Sequence, residues 1–401
     1  MAKATDALLD WALAAGVALP TDFDGATADI APLGLLDSAL DGADLVFLGE
    51  LDHFVHEKSD FRLLFSRYLL ARGWRSLAEE MSWPDGLRVE RFLSGDGDLD
   101  HLSLFGWAGD LRDDRDDRPT GIFRASFDLY PTEIMAAEQT RFYAGLKAAA
   151  AGKALRYHGF DIEGLPGGGY AEIERILPPD AAAFRAALAR VDGETALAES
   201  KRLEALVPHA PSDEVAVALK ATAESLAYID MTYAAETYQA TAPGMAFREG
   251  CMKRRLDDIA RLTDGAPLVL MAHGFHLAKD DRLLGRQVGV GPGGGLECSL
   301  GHHLVHERGL KAVSIWLVHG AGADSQPFPD LPRRFSYPPG TLNRRLSGLG
   351  APTLIPVVGA PPGPFDRPLG IGHMYNAVQP TVLAGQVDAI LYLPRVTPMR
   401  R

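Results

Sequence analysis

Two short apolar runs, Leu45-Val46-Phe47-Leu48 and Leu268-Val269-Leu270-Met271, stand far apart in the chain, and each gives way to titratable residues. The first continues as Gly49-Glu50-Leu51-Asp52-His53-Phe54-Val55-His56-Glu57, the second as Ala272-His273-Gly274-Phe275-His276. Apolar runs this short predict buried strands rather than helices. Open α/β sheets bind ligands beyond the carboxyl ends of such strands. The pattern therefore predicts one active site assembled from both segments.

Elsewhere the spacing predicts an amphipathic helix over 1–18 and another over 59–72, the latter with Phe61, Leu64, Phe65, Tyr68 and Leu69 on one face. Gly73 is placed to end that helix. A strand over 75–81 follows, ending in Glu79-Glu80, so strand, helix and strand succeed one another as in a right-handed crossover unit of a parallel sheet. A helix over 132–150 leads into a strand over 154–158, with Asp161 just past its end. Between 164 and 263 the chain turns to alanine-rich helical segments, broken at Pro178-Pro179, Pro208, Pro211 and Pro243. Strands resume over 266–272, 311–318 and 389–393, and a helix carrying His302, His303 and His306 precedes the second of these. The expected fold is α/β, with a central, mainly parallel sheet flanked by helices. Its core falls into residues 1–163 and 264–401, and residues 164–263 form an inserted helical subdomain that walls one side of the active-site cleft.

Composition narrows the function. At 401 residues, 47% hydrophobic and 23% charged, the chain reads as an ordinary globular protein with a large core. A formal net charge of -13, with no basic run longer than Lys253-Arg254-Arg255, disfavours a nucleic-acid backbone as partner. Cys251 and Cys298 lack metal-knuckle spacing and read as core thiols in a reducing compartment. The first residues intersperse acids among apolar positions and lack the basic start and unbroken apolar stretch of a signal peptide. No run reaches the roughly 20 residues needed to span a bilayer. Cytoplasmic residence without a membrane partner is expected.

Several familiar chemistries are missing. Gly-x-Ser-x-Gly, Walker A and His-Glu-x-x-His do not occur. Gly167-Gly168-Gly169 and the 291–295 glycines lack the strand-loop-helix context of a dinucleotide site and read as loops. The 94–120 segment, with its mixed-sign run over 110–118, reads as a solvated loop without the ordered ligand spacing of a calcium site. No cofactor and no metal are expected.

What remains is the set Glu50, His53, Glu80, His273 and His276, joined by Arg62. One imidazole can take a proton from water while a neighbouring carboxylate fixes its tautomer, and a second histidine or an arginine can stabilise the oxyanion of an ester under attack. His56, His101, His158, His209, His319 and His373 read as structural, and His302 and His306, on one helical face, are lesser candidates. The same set would also suit a zinc- or manganese-dependent hydrolase, a biosynthetic tailoring enzyme acting by elimination or transfer on a peptide or polyketide, or a protein that binds haem or another ligand without turnover.

At these positions the chain resembles the erythromycin esterase family. The matching features are Gly49-Glu50-Leu51-Asp52-His53, Glu80 after the next strand, Gly159-Phe160-Asp161, the Arg-acid-x-x-Met pattern of Arg248, Glu249 and Met252, Ala272-His273-Gly274-Phe275-His276, and Leu300-Gly301-His302-His303-Leu304. The resemblance spans roughly residues 40–395. It implies that His53 is the general base, that Glu50 and Glu80 orient it, and that His273 and His276 complete a site without metal. Arg62 matches a basic position on the following helix, and Arg62, Phe54 and Asp161 are the expected substrate-binding residues. Asp52 and Phe54 flank His53 where the family has a small polar residue and glycine. The implied activity is hydrolysis of a small-molecule ester or lactone, with a macrolide antibiotic as the leading specific substrate.

Overall fold

The computed structural model describes residues 6–99, 132–162, 166–191, 195–233, 242–285, 299–326 and 332–400. The architecture is α/β, a mainly parallel sheet flanked by helices. The strands, in chain order, are β1 (Val17–Ala18), β2 (Leu45–Glu50), β3 (Ser76–Ser82), β4 (Arg156–Asp161), β5 (Leu268–His273), β6 (Ala312–Gly322), β7 (Thr353–Pro356), β8 (Leu369–Gly372), β9 (Val378–Thr381) and β10 (Ala389–Val396). The chain divides into two compact units. The first comprises Met1–Arg75, Glu133–Gly152 and Pro267–Arg401; the second comprises Ser76–Thr132 and Lys153–Ala266.

In the first unit the strands lie in the order β1-β7-β10-β6-β2-β5. The pairs β10–β6, β6–β2 and β2–β5 are parallel, while β7 runs antiparallel to both β10 and β1. Every residue of β2 and of β5 is buried, which explains why both read as unbroken apolar runs. Both strands extend further than their apolar residues suggest. Glu50 and His273 are the last residues of β2 and β5 and stand in register with each other. Gly49 is required here by close packing: a Cβ at that position would meet the Trp316 ring at 2.7 Å and Gly274 Cα at 2.8 Å.

The Glu57–Ala71 helix is buried well beyond its apolar face, taking Lys58, Ser59, Asp60, Arg62 and Ser66 inside as well. Burial on this scale requires partners for the polar groups. Asp60 accepts from the Gly25 amide (3.0 Å) and from Arg141 (2.8 Å), and His56 pairs with Glu138 (2.5 Å). Asn343 holds the end of β8 from both sides: its amide donates to Gly372 O and its carbonyl accepts from Gly372 N. An antiparallel β8–β9 hairpin thus starts from a fixed point.

The second unit contains the parallel pair β3–β4 and the helices Trp83–Ser94, Pro166–Ile176, Ala182–Leu188, Ala196–Leu206, Asp213–Tyr233 and Ala242–Leu262. Ser82 caps the first of these helices, accepting from Asp85 N. Gly159 is the second close approach: a Cβ there would stand 1.9 Å from Ser82 O. Buried Glu172 gathers Arg88, Arg91 and Arg175, and Arg255 reaches Glu224 (2.6 Å) and Val217 O (3.3 Å).

One expectation is corrected. Gly167-Gly168-Gly169 is not a loop but part of the first turn of the Pro166–Ile176 helix, because proline suits the first helical position and Gly169 lets the helix approach Thr222, whose Oγ1 would lie 2.2 Å from a Cβ. The helix expected before β6 is present, as a short α segment, Leu300–His302, continued by a π turn over His303–Glu307. Cys251 is buried. His101, the 110–118 run, most of the 94–120 segment, the 291–295 glycines and Cys298 lie outside the described residues. Among the described residues no helix is long and apolar enough to cross a membrane.

Gly49→Ala is expected to lower stability by about 1–3 kcal/mol through overpacking against Trp316. A shift of the urea midpoint at unchanged m-value checks this.

Candidate active site

In the first unit the carboxyl end of β2 places Glu50 in full burial at the sheet centre. Burial by itself would push its carboxyl up. The Arg62 guanidinium, the hydrogen bond from His53 and the charges of Lys58 and His53 outweigh that and hold it down to about 2. Arg62 Nη2 donates to Glu50 Oε1 at 2.8 Å, and His53 Nδ1 lies 3.2 Å from the same oxygen. An ionised carboxylate only accepts, so Nδ1 carries the ring proton and the basic nitrogen of neutral His53 is Nε2. His53 is partly open, its side chain 24% exposed, whereas Arg62 is buried.

The end of β5 supplies the complementary tautomer. The Phe275 amide donates to His273 Nδ1 (3.3 Å), so the neutral His273 ring carries its proton on Nε2. The His53 and His273 rings lie 5.2 Å apart between centroids, and His276 is 6.4 Å from His273. Phe54 stands edge-on to His53 at 6.1 Å. A base nitrogen and a donor nitrogen thus share one corner of this unit.

The structure also places His373 beside these rings. It follows β8, and its ring lies 6.0 Å from His273 and 4.9 Å from Phe275. The next amide, Met374 N, donates to Leu51 O (3.0 Å), tying this hairpin to the turn that carries His53. Burial lowers the His373 imidazole to about 4, so the ring is neutral at ordinary pH. Beside it Tyr337 Oη lies 2.7 Å from His319 Nε2 and 3.2 Å from His373 O. No apolar run announces His373; only the hairpin geometry brings it to the site.

Asp52, adjacent to His53, is buried and accepts from the Phe54 amide at 2.8 Å. Burial, with the neighbouring Asp324 carboxyl, raises Asp52 well above the usual carboxylate range, and burial raises Asp324 too. Two buried carboxyl groups can hydrogen-bond to each other only by sharing a proton.

In the second unit Glu80 and Asp161 gather around Arg248. Its Nη2 donates to Glu80 (2.9 Å) and to Asp161 Oδ2 (2.6 Å), and its Nε donates to Asp161 Oδ1 (2.9 Å). Asp161, expected to bind substrate, is held by this guanidinium fork and by the Ile162 amide (2.7 Å). Glu79, one residue before Glu80, accepts from Tyr157. Of the residues singled out by sequence, Glu50, His53, Phe54, Arg62, His273 and His276 belong to the first unit, and Glu80 and Asp161 to the second.

No family model matches the sequence, and a search of the curated proteins finds no match. Among solved structures the chain is similar to a Bacillus cereus protein, with a TM-score of 0.69 at 15% identity over 98% of each chain. It is also similar to a succinoglycan biosynthesis protein, with a TM-score of 0.67 at 16% identity over 98% of this chain and 97% of that one. A third is a histidine-to-asparagine mutant of erythromycin esterase EreC in its open conformation, with a TM-score of 0.58 at 17% identity over 95% and 98% of the two chains. At these identities the likeness is one of fold.

Arg62→Met leaves Glu50 buried without its cation and is expected to cost about 3–5 kcal/mol at neutral pH. Because Glu50 titrates at about 2 in the folded chain against an ordinary 4.5, its contribution is full above the ordinary value and is lost as pH falls toward 2. Urea denaturation of both proteins across that range should therefore show the difference shrinking in acid. Asp52 has the opposite sign: its raised folded value favours the fold at low pH and penalises it as pH rises above about 3.9. Asp52→Asn can accept from Phe54 and donate to Asp324 without a shared proton, so its stability relative to wild type should increase from pH 4 to pH 7.

Proposed function

We propose that the protein hydrolyses an ester or lactone, with His53 as general base and water as nucleophile. The observation that carries this reading is the pair of opposed tautomers, His53 held by Glu50 with Nε2 basic and His273 held by the Phe275 amide with Nε2 protonated. His53 Nε2 takes a proton from water as the oxygen attacks the carbonyl carbon, while His273 Nε2–H hydrogen-bonds to the carbonyl oxygen on which charge develops. Collapse of the tetrahedral intermediate breaks the bond to the leaving alkoxide, which receives the proton from His53. Glu50 stays ionised throughout and stabilises the transient imidazolium, and His276 completes this group of rings.

The proposed reaction uses no metal. Glu50 already shares its carboxylate with the buried Arg62 guanidinium, and that fixed charge opposes a dication at the same oxygen. The likeness in fold to an erythromycin esterase makes a macrolide lactone the leading specific substrate, and with it an antibiotic-inactivating role. A second reading is acyl transfer to a carbohydrate or other hydroxyl acceptor in biosynthesis. It is favoured by the likeness to a succinoglycan biosynthesis protein and needs the same base.

Mass spectrometry of macrolides, simple lactones and esters after incubation with the protein tests the proposal. The expected product has gained one water, and His53→Ala should slow its formation by a factor of about 100 or more. Turnover unaffected by His53→Ala would overturn the assignment. Products formed only when a hydroxyl acceptor is supplied would favour the transfer reading.

A further inference from the structure

A second group of histidines and carboxylates in the first unit takes no part in the proposed reaction. It is built on the backbone that follows His276. Gly301 N donates to His276 O (2.8 Å), and Ser299 Oγ donates to Ala278 O (2.9 Å). A Cβ on Gly301 would stand 2.5 Å from Ala278 O, so the His302-bearing segment rests directly on this backbone. That contact brings His302 and His306 beside Asp280 and Asp281.

His302 Nδ1 lies 3.1 Å from Asp281 Oδ1 and 3.6 Å from Asp280 Oδ1, and His306 Nε2 lies 3.7 Å from Asp280 Oδ2. The two imidazole centroids are 4.8 Å apart. One donor atom from each of Asp280, His302 and His306 falls within 4.8 Å of the other two. His302 Nδ1 is buried and makes no hydrogen bond despite the carboxylates beside it. The π turn over His303–Glu307 adds a second feature, since such turns concentrate at functional sites. Asp280 is fixed from behind: its amide donates to Gln386 Oε1 (3.1 Å), and Gln386 Nε2 donates to Asp280 O (2.5 Å).

We propose that Asp280, His302 and His306 bind a divalent transition metal, with Asp281 or water as the fourth ligand. Two imidazoles and a carboxylate suit zinc, whereas magnesium and calcium favour oxygen alone. Ligand distances near 2.0–2.2 Å require the three side chains to draw together by roughly an ångström. Arg282 at present forks onto both oxygens of Asp280 at 2.7 Å and keeps that carboxyl low. Its side chain is 69% exposed and can turn into water as the ion enters, a freedom buried Arg62 lacks. The metal would pin the backbone between His276 and Asp281 without touching substrate, so the site stands independently of the hydrolase reading.

The test uses the full chain stripped of metal by chelation. It is titrated with cobalt(II) followed by absorbance and with zinc followed by calorimetry, alongside His306→Gln, His302→Gln, Arg282→Ala and His53→Ala. The expected result is one zinc per chain, lost in both glutamine variants, retained in His53→Ala, and bound about tenfold tighter by Arg282→Ala. His306 lies at the surface, so His306→Gln serves if His302→Gln fails to fold. Zinc should raise the unfolding temperature of wild type and not of His306→Gln. Absence of stoichiometric binding by wild type, binding undiminished in His306→Gln, or binding lost in His53→Ala but kept in His306→Gln would each overturn the proposal.

Discussion

The ion pair between Arg62 and Glu50 is the constraint on which the His53 corner depends. A carboxylate in full burial at the centre of a sheet is costly, and without a cation it would take up a proton instead. Arg62 prevents that from the first turns of the helix that follows β2, so strand, turn and helix must keep one relative geometry. The ionised Glu50 then decides which nitrogen of His53 carries the proton. Backbone geometry, charge and tautomer are three links of one chain, and the last is the one that matters for the proposed proton transfer.

Around this pair the unit places its other polar groups with similar economy. His273 takes its tautomer from a backbone amide, and burial keeps His373 neutral. The Asp52 and Asp324 pair departs from the pattern, since burial raises both carboxyls and makes the turn carrying His53 sensitive to pH. Functional regions commonly carry such locally unfavourable groups, balanced by stability elsewhere in the fold.

Much of the fold was legible because buried parallel strands read as apolar runs. β2 and β5 stood out for that reason, and the Thr132–Ala150 and Glu57–Ala71 helices for their spacing. The short β1 and β7, and the β8–β9 hairpin, were not, because strands of two to four residues carry too little pattern. Glu50 and His273 were visible as titratable residues at strand ends, and His53 as one just beyond. His373, Tyr337, Asn343 and Asp324 were not, since their nearness to one another and to the strand ends arises from contacts between distant segments. The glycines at 167–169 were misread for a related reason: what fixes Gly169 is a neighbouring helix at Thr222, which no local window contains.

The register of β2 has a consequence for how the chain reaches its native state. Leu45–Glu50 is hydrogen-bonded on one side to Leu268–His273 and on the other to residues 312–317, segments made long after it. During synthesis β2 therefore waits, apolar and with both edges open, until most of the chain has emerged. Such non-local pairing slows folding and leaves a sticky strand exposed in the interval. The placement that shields Glu50 in the finished molecule thus leaves β2 in need of protection before the fold closes.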